Sequence, residues 1–447
     1  MAAMLVVNNP GSWTHVFGPL RHAEWNGLTP TDLVFPFFLF IVGAAMPFSF
    51  DRRIAAGASR VRLLEHVVRR ATTLCLLGLA LNAWPHWPRV APFFGLAGAW
   101  DWSCWKPVLP YVLGIIGLSL LFADEPPLGW PSGTLARIGK LGAWLILAAA
   151  AAWFVIDFDR FTESRIRVPG VLQRIGLCYL LASIVVLGCC TRGRVFWTLT
   201  LTGGYWAILS FAHAPADYQT PLHATRPLGV LHDWIDVRVL GEHLYSERPD
   251  PEGLLSTLPA VATVLFGALA GAGLRSRAAP ESRAAWLFIA ANVLLVAGLW
   301  IGLVLPVNKK IWTSSYVLVT AGLAMHLLAT CYWLVDVRAL RGWARPFMVL
   351  GTNAIAVYCA SGVAARWLAT APVTLADGRT TPLKTHLYET IAAWMVPVGH
   401  GAAASAPAGA LAEWAACGAS LVYALAYAAL WCLLFTPLYW RRIYIRV

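Results

Sequence analysis

Residues Leu20–Phe50 read LRHAEWNGLTPTDLVFPFFLFIVGAAMPFSF. The first part is polar and carries Arg21, His22, Glu24 and Asn26; after Asp32 the chain runs to Phe50 without a charge. A helix of about 20 apolar residues spans the hydrocarbon core of a bilayer, so this stretch is a membrane helix with a polar loop at its mouth. The same reading places further spans near 71–86, 108–122, 141–157, 170–189, 195–212, 255–273, 286–305, 314–334, 347–369 and 411–438. Of 447 residues, 59% are hydrophobic and 13% charged, and the mean hydropathy is +0.63, which excludes a water-soluble fold of this size. The fold class is therefore all-α: a polytopic integral membrane protein of about eleven transmembrane helices plus a truncated first helix, the stub Met1–Val7, forming a single domain over 1–447. The weaker apolar piece at 388–398 is too short to cross and is expected to lie in the interface or to re-enter.

Alternating the loops across the membrane puts 51–70, 123–140, 190–194, 274–285, 336–346 and the tail from Arg441 on one side. That side holds 19 Lys/Arg against 6 acids, so by the positive-inside rule it is cytoplasmic, the C-terminus included. The net charge of +12 is thus a topology signal and not the footprint of a nucleic acid. The Arg residues at 52–70 set topology and meet lipid headgroups, with an anionic ligand as the alternative.

Chemistry-capable residues gather on the other side, where the long loops 9–30, 87–107 and 213–254 carry most of the His. The nine Cys show no CxxC spacing, so neither a disulfide framework nor a zinc site is expected, and no metal is expected elsewhere. Phosphate-binding and nucleophile-elbow motifs are absent. In the first outer loop, Asn8 and Asn9 follow an apolar helix end, and His22 stands between Arg21 and Trp25. Polar groups at membrane depth are expensive and need a reason. One reading is structural: the Asn residues cap the stub helix and His22 satisfies interfacial hydrogen bonds. The other is a catalytic site.

At these residues a resemblance enters. The run MLVVNN, followed by LRHAEWNGLTPTDLVFPFFLFIVG, resembles the opening of the heparan-α-glucosaminide N-acetyltransferase family. Further blocks follow in family order: RVPGVLQR at 167–174, Trp234-Ile235-Asp236 with His243-Leu244-Tyr245, DPEGLLST at 250–257, PVNKKIWTSSY at 306–316 and GTNAI at 351–355. The resemblance implies a transmembrane acyltransferase that moves an acetyl group from cytosolic acetyl-CoA, a co-substrate, to an amino sugar or glycan on the outer side. It implies His22 as the active His and Asn8 as its nearby Asn. Positions 88–165 look like a two-helix insertion, the cytoplasmic half of the first helix is absent, and the large luminal domain of animal members is lacking. This implies a bacterial-type member in the inner membrane. Membrane lipid, acetyl-CoA, a carbohydrate acceptor and a second copy of the chain are the implied partners.

Acyl transfer needs a base for the nucleophile's proton and a donor for the developing oxyanion. His22 suits the first role near neutral pH; the Asn8 amide suits the second, or orients His22. Glu24 and Asp32 are candidates to hold the imidazole or the acceptor's ammonium. Arg174, Asn308 and Lys309 are candidate substrate contacts, with interfacial snorkelling as the alternative for Arg174 and Lys309. Asn353 either lines a channel for the pantetheine arm or packs in the core. Asp250 and Glu252 fit a helix start and, as a second role, a cationic acceptor. His22 could also carry the acetyl covalently. A secondary transporter is the rival class, and an O-acyltransferase of a cell-surface glycan is the third reading. The absence of an inverted repeat and the small number of acids inside spans weigh against ion coupling.

Overall fold

The computed structural model describes residues 1–83, 109–121, 142–150, 166–375, 377–395 and 408–445. Among them the main helices in chain order are α1 (Ala2–Asn8), α2 (Val34–Ala55), α3 (Arg60–Ala83), α4 (Leu109–Leu121), α5 (Val171–Gly188), α6 (Thr191–Phe211), α7 (Val230–Leu240), α8 (Thr257–Leu274), α9 (Pro280–Gly302), α10 (Ser314–Tyr332), α11 (Arg345–Thr352), α12 (Ala354–Thr370), α13 (Leu383–Met395) and α14 (Ala408–Trp440), with a single helical turn at Leu222–Thr225 and a helical stretch over 142–150 besides. A two-stranded antiparallel hairpin, Pro372–Thr374 with Thr380–Pro382, interrupts the helices before α13.

Six helices are long and apolar enough to cross a membrane, at 30–55, 171–188, 257–274, 280–302, 314–337 and 412–440; α11 and α12, bent by 72° at a short break, make a seventh if counted as one span. The protein is a multi-pass, largely helical membrane protein with six or seven such spans among the described residues, not eleven. The reason is visible at each discrepancy. Expected span 71–86 is the apolar end of α3, whose first half carries Arg60, Arg62, Glu65, Arg69 and Arg70. Expected span 195–212 is α6, diluted by Arg192, Arg194 and four Thr. Expected span 108–122 is α4, only 13 residues long. Expected span 141–157 is described only over 142–150, and most of the 88–165 insertion lies outside the described residues. The expected interfacial piece 388–398 falls in α13 up to Met395 and outside the described residues beyond it.

The core is built on α2, α5, α8 and α10. α2 and α8 run parallel at backbone contact. A Cβ on Gly43 would sit 1.8 Å from the Val264 carbonyl oxygen, one on Gly267 1.9 Å from that of Phe40, and one on Gly271 2.2 Å from that of Ala44. Inside a bilayer, where lipid is as apolar as Leu, helices associate through such close packing of small residues. Both helices therefore begin at one face of the molecule. At the opposite face Arg275, after α8, pairs with Asp51 of α2 at 2.6 Å. At the first face the loop before α2, the turn before α8 and the loop between α9 and α10 converge.

A side chain at Gly267 must force α2 and α8 apart, and overpacking of this kind costs about 1–3 kcal/mol or more. Gly267→Val is expected to lower the thermal midpoint of the detergent-solubilised protein by several degrees, while Gly203→Ala, with open space around it, leaves it unchanged or raises it. Equal midpoints for the two variants contradict the packing assignment.

Candidate active site

The chain from Phe17 to Leu33 forms two short 3-10 turns around an irregular loop. Asp32, fully buried, is its anchor. Its Oδ2 accepts from Ala23 N (3.1 Å), Thr29 N (3.1 Å) and Thr29 Oγ1 (2.9 Å). Its Oδ1 lies 2.7 Å from His22 Nδ1 and 3.3 Å from Lys309 Nζ. Its backbone oxygen accepts from the Tyr316 hydroxyl at 2.7 Å. A buried carboxylate is tolerable only when paired and hydrogen-bonded, and here both oxygens are satisfied. A carboxylate accepts only, so the Nδ1 facing it carries the proton, and the neutral ring keeps its lone pair on Nε2. Half of the His22 side chain is exposed, so that lone pair is open to an incoming group.

Lys309 reaches the same place from the loop between α9 and α10. Its Nζ is 3.0 Å from His22 Nδ1, and its side chain is only 19% exposed; this is not a lysine stretched toward bulk water. Burial pushes the ammonium below its ordinary pKa, with Asp32 and Glu252 opposing that shift. Asn308, fully buried, stitches the two loops together. Its Nδ2 donates to Asn26 Oδ1 (3.2 Å), its Oδ1 accepts from Ile311 N (3.2 Å), and Gly27 N donates to Val307 O (2.8 Å) beside it. Thus the sequence candidates His22, Asp32, Asn308 and Lys309 are brought together. Glu24 is exposed, with no hydrogen bond or ion pair among the described residues.

Asp250, Glu252 and Arg174 gather around the turn before α8. Asp250, buried, accepts from Arg167 Nε (3.0 Å), Arg167 Nη2 (2.5 Å), Tyr245 N (2.8 Å) and Glu252 N (2.9 Å). Arg167 also donates to Glu252 and lies 4.6 Å from the Tyr245 ring centre. Burial works against the Arg167 charge, but Glu252 and Asp250 more than compensate and raise its pKa. Arg174 is buried as well. It donates to Pro251 O and Gly253 O, both at 2.8 Å, and to Ser256 Oγ, and it stacks 5.3 Å from the Trp312 ring centre. Arg174 thus braces the 250–256 turn and faces Trp312, while its Nε has no hydrogen-bond partner among the described residues. Asn353 stands at the α11–α12 break, donating to Ile443 O (3.1 Å) and accepting from Ile445 N (2.7 Å), so its amide ties the bend to the tail.

Asn9 Nδ2 donates back to Leu5 O at 2.9 Å and caps α1; both Asn8 and Asn9 line a cavity of about 250 Å³ between α1, α3, α5 and α12, together with Asn82, Gln173, Tyr358, Ser361 and Arg366. No hydrogen bond joins Asn8 to His22. Gln173 Nε2 is buried there without a partner among the described residues, the kind of orphan that a bound group or water completes. Glu252 lies within electrostatic reach both of Lys309, beside His22, and of Tyr358, which lines the cavity. Sequence reasoning missed Arg167, Gln173 and Thr29. The Thr29-Pro30-Thr31-Asp32 run is a capping signature that pointed to the Asp32 bonds; for Arg167 and Gln173 only their place in the RVPGVLQR block was available. Among the described residues no group of three His, Cys, Asp or Glu could hold a metal ion.

Comparison with known proteins bears on the same residues. The family described as "Domain of unknown function (DUF5009)" matches residues 8–88, which include Asn8, His22, Asp32 and α2. Heparan-alpha-glucosaminide N-acetyltransferase of Mus musculus is 26% identical over 412 residues, covering 80% of this chain and 51% of that protein. The protein of the same name from Homo sapiens is 28% identical over 389 residues, covering 79% of this chain and 50% of its own length. The chain spans about half the length of the curated relatives it matches, and its similarity to these N-acetyltransferases is a distant one extending over most of its own residues.

Proposed function

We propose that the protein is a membrane acetyltransferase that moves an acetyl group from acetyl-CoA to the amine of an amino-sugar acceptor, with His22 as general base. The observation that carries this reading is the His22–Asp32 pair: an imidazole fixed through Nδ1 at 2.7 Å by a buried carboxylate, with half of the His22 side chain exposed. Base held by an orienting third group is the arrangement that acyl-transfer sites share. In the reaction, His22 Nε2 takes a proton from the acceptor nitrogen as that nitrogen bonds to the thioester carbon. The carbon–sulfur bond then breaks, and the imidazolium returns the proton to the departing thiolate, so the products are the N-acetyl sugar and free CoA.

The cavity at Asn8 suits the donor's acyl end. Its 250 Å³ is far too small for a whole CoA, but a thin chain bearing amides finds matching partners in Asn8, Asn82 and the unpartnered Gln173. Asn8 is the oxyanion donor in this reading. The acceptor approaches from the His22 side, the donor comes from the basic, cytoplasmic face, and the C-terminus lies on that cytoplasmic face of a bacterial inner membrane. The distant N-acetyltransferase relatives favour an amine acceptor over a hydroxyl.

A positioned base is worth about 10²–10⁴-fold. His22→Ala in lipid nanodiscs is expected to lower kcat for acetyl transfer from labelled acetyl-CoA to glucosamine by that amount while the protein stays monodisperse; wild-type turnover in the variant removes His22 from the reaction. Asp32→Asn frees the tautomer, and its expected effect is a loss of about 10²-fold or more in kcat with little change in KM for acetyl-CoA. A KM effect alone would mean that Asp32 serves donor binding instead.

A further inference from the structure

Lys309 occupies a position that acceptor or donor binding does not explain. It is aimed inward, at the far side of the catalytic imidazole. Asp32 Oδ2 is filled by three donors, which leaves Oδ1 to be shared between the His22 N–H at 2.7 Å and the Lys309 ammonium at 3.3 Å. The 3.0 Å approach of Lys309 Nζ to His22 Nδ1 therefore sets a cation against an N–H and not against a lone pair. A charge held there opposes a second proton on the ring, while Asp32 keeps the first proton on Nδ1.

The lysine is placed there by construction. Trp312, almost fully buried, takes a left-handed backbone conformation (φ +52°), one that L residues adopt only when the surroundings enforce it. The enforcing bonds are Trp312 N to Lys309 O (3.1 Å), Thr313 N to Asn308 O (3.1 Å), Asn308 N to Thr313 Oγ1 (3.0 Å) and Trp312 Nε1 to Thr263 Oγ1 (3.2 Å). The other charges nearby are committed elsewhere. Lys310 pairs with Glu247 at 2.5 Å, Arg167 is held by Asp250 and Glu252, and Arg21 turns back to Val16 O and Thr14 O. Glu24 is exposed and unpaired among the described residues.

We propose that Lys309 is a positioning residue for His22: its ammonium, sharing Asp32 Oδ1 with the imidazole N–H, keeps the ring singly protonated on Nδ1 and so keeps Nε2 free to act as a base. The assignment rests on the acetyltransferase reading for its purpose but not for its geometry. With Lys309 neutralised, Asp32 acts on the ring unopposed and the imidazolium becomes easier to form. With arginine in its place the charge remains.

The test is the pH dependence of His22 modification by diethyl pyrocarbonate, which attacks only the neutral ring, read by peptide mass spectrometry on protein in nanodiscs. A like charge within about 4–6 Å moves a pKa by one unit or more. Lys309→Gln is therefore expected to raise the His22 midpoint by about one unit, so that modification at pH 6 slows several-fold; Lys309→Arg stays near wild type. Equal midpoints in wild type and Lys309→Gln overturn the proposal. Should Lys309→Gln not fold, solid-state NMR of ¹⁵N-histidine-labelled wild type, with His22→Ala to assign the signal, decides the matter at pH 7. A neutral His22 ring protonated on Nδ1 supports the role; an imidazolium, or a ring protonated on Nε2, overturns it. In the same preparations, a shifted midpoint without any acetyl transfer by wild type sinks the acetyltransferase reading and leaves this role standing, whereas transfer without a shift does the reverse.

Discussion

The buried carboxylate of Asp32 is the constraint on which the rest of the site depends. Taking it out of water costs several kcal/mol unless its oxygens are hydrogen-bonded, and the loop before α2 folds so as to meet that demand. Ala23 and Thr29 close the loop on one oxygen, and His22 and Lys309 come to the other. The Tyr316 hydroxyl fastens the same residue's backbone to the start of α10. One charge thereby fixes the tautomer of the imidazole, the path of the loop and the junction of two helices.

That arrangement holds only because its foundations are stiff. α2 and α8 touch backbone to backbone through Gly43, Gly267 and Gly271, so the loop before one and the turn before the other are set in common. Arg174 fills the space behind, with donors on the 250–256 turn and its guanidinium face on Trp312. Trp312 in turn fixes the backbone from which Lys309 projects. Sites held within fractions of an ångström need such supporting layers of packing and hydrogen bonds, and here they come from helix starts at one face of the molecule.

How much of this could be read in the sequence follows from what each signal measures. α2 and α8 were legible because long uncharged runs leave few alternatives in a bilayer. α3 is longer than its apolar run, because hydropathy shows only that half and its charged half, with Arg60, Arg62, Arg69 and Arg70, reads as a loop. The bend at Asn353 was hidden inside a continuous apolar stretch. His22 and Asp32 stood out as polar residues at a span's mouth, yet their pairing depended on a turn whose only trace was Thr29 three residues before Asp32. The partners of Asp250 and Arg174, namely Arg167 for the first and the 251–256 turn for the second, are not legible, because nothing in linear order brings the RVPGVLQR block to the DPEGLLST block. Hydropathy gives depth; it does not tell which side chains face one another.

The central claim is that an amine hydrogen-bonded to His22 Nε2 can reach an acyl group delivered past Asn8. The most direct measurement is a structure of the protein in nanodiscs with glucosamine and a non-transferable thioether analogue of acetyl-CoA. Expected is the sugar amine within about 2.6–3.2 Å of His22 Nε2, with the analogue's acyl carbon about 3–3.5 Å from that amine and its amide-bearing arm among Asn8, Asn82 and Gln173. An analogue bound with its acyl end elsewhere, and no ligand in contact with His22, contradicts the claim.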